Sequence, residues 1–147
     1  MRVILSTRPD GGLDVTNVPA DTDAAIAEAL KEYPFAKNSN VQIVEDSVIP
    51  PDRTFRRGLR QNGSNVVFDM PACREIHRSR LRELRRPLFT EIDAAIRDAQ
   101  IDGDNAKLAT AIARRNALRD VTADPRIEAA RTPEELKAVV PQILNTE

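Results

Sequence analysis

The sequence predicts an α+β protein, with a small N-terminal unit of short strands (hairpins) and one helix over residues 1–68. An antiparallel helical hairpin and a short final helix follow over residues 69–147. Three observations carry this expectation. Short β-branched and aliphatic runs broken by turn residues fill the first half, and apolar residues recur three and four positions apart through the second. With 147 residues, 41% of them hydrophobic, the chain suits one ordinary domain or two small ones.

Met1 to Thr7 is aliphatic and β-branched, and Pro9-Asp10-Gly11-Gly12 follows it. Leu13, Val15 and Val18 then alternate with polar residues, which reads as a hairpin closed by a glycine turn. From Asp21 the period changes. Ala25, Ile26, Ala29, Leu30 and Tyr33 fall at helical spacing, with Asp21 or Thr22 as cap and Pro34 as stop. Val41 to Val44 reads as a further strand, and Pro50-Pro51 forces an extended link because a residue before proline avoids the α region. Leu59 to Gln61 and Asn65 to Phe68, joined by Asn62-Gly63-Ser64, form a second hairpin.

In the second half, Asp69 or Met70 caps a helix that carries Pro71 in its first turn. Cys73, His77, Leu81, Leu84 and Leu88 make one apolar stripe, extended by Ile92, Ala95, Ile96 and Ala99. Pro87 lies inside it and predicts a kink or the meeting of two helices. Gly103 ends the helix and Asp104 caps the next, whose inward face is Leu108, Ala111, Ile112, Arg115 and Leu118. Thr132-Pro133-Glu134-Glu135 has capping-box spacing, and Pro141 closes the last helix. Short connections favour antiparallel neighbours.

Composition narrows the class. No apolar run approaches the roughly 20 residues that span a bilayer. The start is too short for a secretory signal, and a single Cys cannot form an internal disulfide, so a reducing cytoplasm is expected. A phosphate-cradling glycine loop, Gly-x-Ser-x-Gly and His-Glu-x-x-His are all missing, so neither catalytic centre nor cofactor is predicted.

Two constellations invite a metal. Cys73 and His77 lie four apart on one helix face, so two copies about a twofold axis could assemble a zinc tetrahedron. Two ligands per chain are too few for an ordinary site, and a buried thiol beside a hydrogen-bonded imidazole explains them equally. Asp98 to Asp104 resembles a calcium loop. Its third position is Gln100 and its twelfth Ala109, where oxygen ligands are required, so capping explains it better. No metal is expected.

The net charge of −1 hides an uneven distribution. Residues 1–52 carry four basic and nine acidic side chains, residues 53–86 ten arginines against three acids, and residues 87–147 eight against eleven. Of the basic residues, eighteen are Arg and four Lys. Arg74, Arg78, Arg82, Arg85 and Arg86 flank the apolar seam three or four apart. Like charges at that spacing cost about 0.2–0.5 kcal/mol per pair in an isolated helix. Glu75 and Glu83 relieve this only in part. The stripe therefore predicts an acidic counterpart within the chain, on a partner protein or on nucleic acid. An overall pI near 5.9 and 3% aromatic residues argue against nucleic acid.

Four segments carry a resemblance. They are Ile49-Pro50-Pro51-Asp52-Arg53-Thr54-Phe55-Arg56, Val67-Phe68-Asp69-Met70-Pro71-Ala72-Cys73-Arg74-Glu75-Ile76-His77-Arg78, Ala117 to Pro125, and Thr132-Pro133-Glu134-Glu135-Leu136-Lys137. Over roughly residues 45–140 the chain resembles a family of small proteins of tailed phages and prophages, encoded among tail and tail-fibre genes. It departs from that pattern at Gly58-Leu59, where a Trp is common, and at Arg85-Arg86, where small residues are usual. The resemblance brings no catalytic or binding residues with it. It implies a non-enzymatic tail component at the baseplate, tail tip or fibre attachment. Such a component would contact other tail proteins and itself as a homo-oligomer, with the Arg stripe meeting the partner. The alternatives are an assembly chaperone absent from the finished virion, and a nucleic-acid-binding regulator using residues 53–86.

Overall fold

The computed structural model describes residues 1–32 and 37–145. It is α+β, with a small N-terminal antiparallel strand unit followed by long helices. The chain divides into two compact units, Met1–Cys73 and Arg74–Glu147.

In the first unit, β1 (Arg2–Thr7) is the central strand of an antiparallel sheet, between β2 (Leu13–Asn17) and β3 (Ser39–Glu45). Central position explains its composition. Val3, Ile4, Leu5 and Ser6 are all buried, so both faces of the strand are covered. Ile4 packs with Val18 and with Ile26 and Ala29 of α1 (Asp23–Glu32). Val3 and Leu5 pack on the opposite face with Val44, against Leu13, Val15, Val48, Ile49 and Val66. The β1–β3 register slips between Leu5 and Thr7, a bulge at Ser6, whose hydroxyl accepts from Asn38 Nδ2 at 3.0 Å.

Of the two caps expected for α1, Thr22 serves, accepting from the Ala25 N–H at 3.2 Å. Asp21 instead pairs with Arg2 Nε at 2.6 Å. Leu30, expected inward, is exposed, while Tyr33 and Pro34 lie outside the described residues. Two short 3-10 turns, Asp46–Val48 and Arg56–Gly58, lead to the hairpin of β4 (Leu59–Asn62) and β5 (Asn65–Phe68). Gly58 has no room for a side chain, since a Cβ there would lie 2.5 Å from Cys73 Sγ.

The long helix α2 (Met70–Asp102) begins at an Asp69 cap, whose carboxylate accepts from the Ala72 N–H at 3.4 Å. It runs unbroken through Pro87, so of the two alternatives expected there, a kink or the meeting of two helices, the second does not occur. Pro87 and Glu83 both face solvent, so the Glu83 carbonyl that proline deprives of its N–H can be met by water. Gly103, at φ 64°, makes the left-handed turn that a side chain would strain. Asp104 then caps α3 (Asn105–Arg119), accepting from Lys107 N–H at 3.0 Å. Leu81, Ile92 and Ala99 of α2 and Ala111 and Leu118 of α3 are buried, the inward faces of a hairpin.

Four positions expected to face inward depart from expectation. Leu84 and Ile112 are 55% and 44% exposed, and Ala95 is exposed as well. Arg115 is exposed and pairs with Asp93 at 2.8 Å rather than entering the core. A 3-10 turn at Asp120–Ala123 and a short helix α4 (Pro125–Ala129) precede the final helix α5 (Pro133–Lys137). Thr132 accepts from the Glu135 N–H at 3.2 Å, while the Glu135 carboxylate reaches Arg131 N–H at 2.8 Å, one residue before the box position.

Candidate functional site: the arginine stripe and the exposed hairpin surface

The arginine stripe divides into two kinds of residue. Arg74 donates from Nε to the Ile127 carbonyl at 3.2 Å and from Nη2 to the Ala130 carbonyl at 2.9 Å. Those are carbonyls at the end of α4, which a helix terminus leaves without intrahelical donors. Arg78 Nε donates to the Thr122 carbonyl at 3.3 Å, and its other nitrogens reach Glu75 and Glu128. Arg85 Nη1 donates to the carbonyl of Arg119, the last residue of α3, at 2.6 Å. Cations at helix C-termini are also favoured by the helix dipole. Three arginines of α2 thus hold, in chain order reversed, the end of α4, the 3-10 turn and the end of α3.

The acidic counterpart that the stripe demands is therefore mostly backbone carbonyl, with Glu75 and Glu128 added. Hydrogen bonding to Arg78 holds the Glu128 carboxyl below its usual range. Among the described residues Arg86 pairs with Glu83, at 3.0 Å, and it stays 76% exposed. Arg82 is exposed and has no ion pair among the described residues. Of the five predicted partner-binding residues, Arg82 and Arg86 are the two whose charge faces solvent.

Cys73 and His77 are both buried. His77 Nε2 lies 2.7 Å from the Val139 carbonyl oxygen, a buried bond that orients the ring. Among the described residues there is no group of three or more His, Cys, Asp or Glu placed to hold a metal ion. Asp104 of the calcium-like turn acts as a helix cap.

The sequence reading did not single out the surface between the two helices of the hairpin. A groove there is lined by Ala95, Ala99, Ala106 and Ala111. Asp98 and Asp102 stand on its α2 wall, Lys107 and Arg114 on its α3 wall. Leu84, Ile101 and Ile112 add exposed apolar side chains elsewhere on the pair. The signal was in the sequence as small residues at helical spacing, but only the pairing of α2 with α3 brings the acidic and basic walls together. Among the described residues no helix is long and apolar enough to cross a membrane. No family model, curated protein or solved structure matches the chain.

Proposed function

We propose that the chain is a non-enzymatic structural protein of a bacteriophage tail, at the baseplate, tail tip or fibre attachment. It acts through protein–protein contacts with its own copies and with neighbouring tail proteins. The observation that carries this reading is the alanine-lined groove with acid on one wall and base on the other. Such a surface is self-complementary. A twofold axis along the groove sets the Asp98–Asp102 wall of one copy against the Lys107–Arg114 wall of the next, as an isologous interface requires. The four segments similar to the tail-gene family supply the phage context.

Protein partners are favoured over phosphate because Arg74, Arg78 and Arg85 already donate to protein oxygens. Light scattering of the purified chain at low and high salt tests the assembly, and mass spectrometry of purified phage particles tests the location. A discrete oligomer found also in particles is the expected result. A monomer absent from particles but present in infected cells would replace this reading with an assembly chaperone. Duplex DNA binding that weakens steeply with salt would replace it with a regulator.

A further inference from the structure

The first unit contains a cleft of about 420 Å³ that the tail reading does not use. Val3, Leu13, Val15, Ile49 and Leu59 supply its apolar lining, and Asn17 a polar part. Arg53 and Arg56 also line it. The Arg56 N–H donates to the Arg53 carbonyl at 3.2 Å, so the two arginines are the ends of one hydrogen-bonded turn and their side chains start close together. Neither guanidinium makes an ion pair among the described residues. The two acids at the cleft have other contacts, Asp46 with the Met1 amino group at 3.4 Å and Asp52 with the Thr54 N–H at 2.9 Å.

We infer that this cleft binds an organic acid with an apolar body, its carboxylate held by Arg53 and Arg56. The volume and the two guanidiniums without an ion pair among the described residues point to this ligand, Asp46 and Asp52 being engaged with other donors. Small-ligand sites fall at about 300–1,000 Å³, are lined mainly by apolar side chains, and orient the ligand with a few polar groups. A guanidinium is suited to a planar carboxylate, and a pair of them disfavours cationic or neutral ligands of the same shape. The acid can be a free aliphatic or aryl acid, or the C-terminal carboxylate of a chain ending in an apolar residue.

The test uses the full chain with anilinonaphthalene sulfonate, an anionic apolar fluorophore. Saturable one-to-one binding is expected, weakened about tenfold or more in Arg53→Gln/Arg56→Gln as two charge-assisted contacts are lost. Arg57→Gln removes one positive charge beside the cleft without lining it, and it should bind like the parent. Circular dichroism and melting of each variant check the fold, which exposed side chains leave intact. Displacement by 4-phenylbutyrate identifies a free acid, and displacement by acetyl-Val-Leu identifies a chain terminus; either supports the site. The inference is overturned by unsaturable binding, by equal loss in Arg57→Gln, or by an unweakened double variant. It is equally overturned if neither acid displaces the probe, or if 4-phenylbutanol and acetyl-Val-Leu amide displace it as well as the acids do.

Discussion

His77 and Val139 are joined by a buried hydrogen bond, with ring Nε2 2.7 Å from the carbonyl oxygen. A carbonyl only accepts, so Nε2 carries the proton in this bond. The bond fastens the segment after α5 to the first turns of α2. Replacing the ring by an apolar side chain leaves a buried oxygen unsatisfied, at a cost of about 1–3 kcal/mol. His77→Leu should therefore lower the urea midpoint with an unchanged slope. An unaltered midpoint would show that water or repacking satisfies Val139 as well as the ring does.

Gly58 and Cys73 are a second pair that must be read together. The thiol occupies the space a Cβ at Gly58 would need, at 2.5 Å, and Cys73 is fully buried. Gly58→Ala alone should cost about 1–3 kcal/mol through overpacking. Cys73→Ala alone opens a small void. The double variant should be more stable than the sum of the two losses predicts, the coupling expected of residues in contact. Strict additivity in a denaturation cycle would mean that the backbone, not the thiol, limits position 58.

The arginines of α2 make a graded series. Arg74 and Arg78 have side chains only 18% and 20% exposed and donate to carbonyls as well as to acids. Losing such a charge-assisted bond costs about 1.5–3 kcal/mol. Arg74→Ala and Arg78→Ala should each show it, and Arg85→Ala should lose in addition its stacking on Phe89, whose ring centroid lies 5.5 Å from the guanidinium. Arg82→Ala and Arg86→Ala should stay within about 0.5 kcal/mol of the parent, as exposed substitutions do. Equal costs across all five would contradict the division of the stripe.

Glu128 adds a pH dependence of definite sign. Its carboxyl is lowered from 4.5, first by hydrogen bonding to Arg78 and then by the charges of Arg78 and Arg74. A depressed acid contributes stability that is fully present above its unfolded value and fades as pH falls through the folded one. Melting temperature should thus decline below about pH 4.5, and Glu128→Gln should flatten that decline while leaving the loss due to other acids. A variant with the parent's full acid sensitivity would show that the exposed pair is screened out.

Much of the architecture was legible in advance because it rests on local rules. The turn at Gly11, the cap at Asp104 and the aliphatic run of β1 each carry a residue-type signature. Helical period was less informative about width. It places Leu84 and Ile112 near the seam, yet a single opposing helix covers only a narrow strip, and both remain exposed. The partners of Arg74, Arg78 and Arg85 could not be read at all, since carbonyl oxygens belong to every residue and only the tertiary path selects Ile127, Thr122 and Arg119. Helix α4 was signalled solely by Asp124-Pro125, a cap followed by an N-terminal proline, in an element of five residues. The groove needed the register of α2 on α3, which the sequence does not state and in which Arg115 meets Asp93.

That register gives the proposed self-association a test by charge exchange. Asp98→Lys/Asp102→Lys makes both walls of the groove basic, so two copies should repel and the solution mass should fall to the monomer. Lys107→Glu/Arg114→Glu makes both walls acidic, with the same result. An equimolar mixture of the two variants is different, because the basic walls of one face the acidic walls of the other. Heterodimers should form and should dissociate as salt rises, since contacts at a groove rim are screened within about 8–10 Å at physiological ionic strength. All four side chains line the solvent-open groove and none is a buried core residue, so the fold should survive both changes. Homo-oligomers of undiminished mass in either variant would place the interface elsewhere, with the exposed Leu84 and Ile112 faces next to be altered.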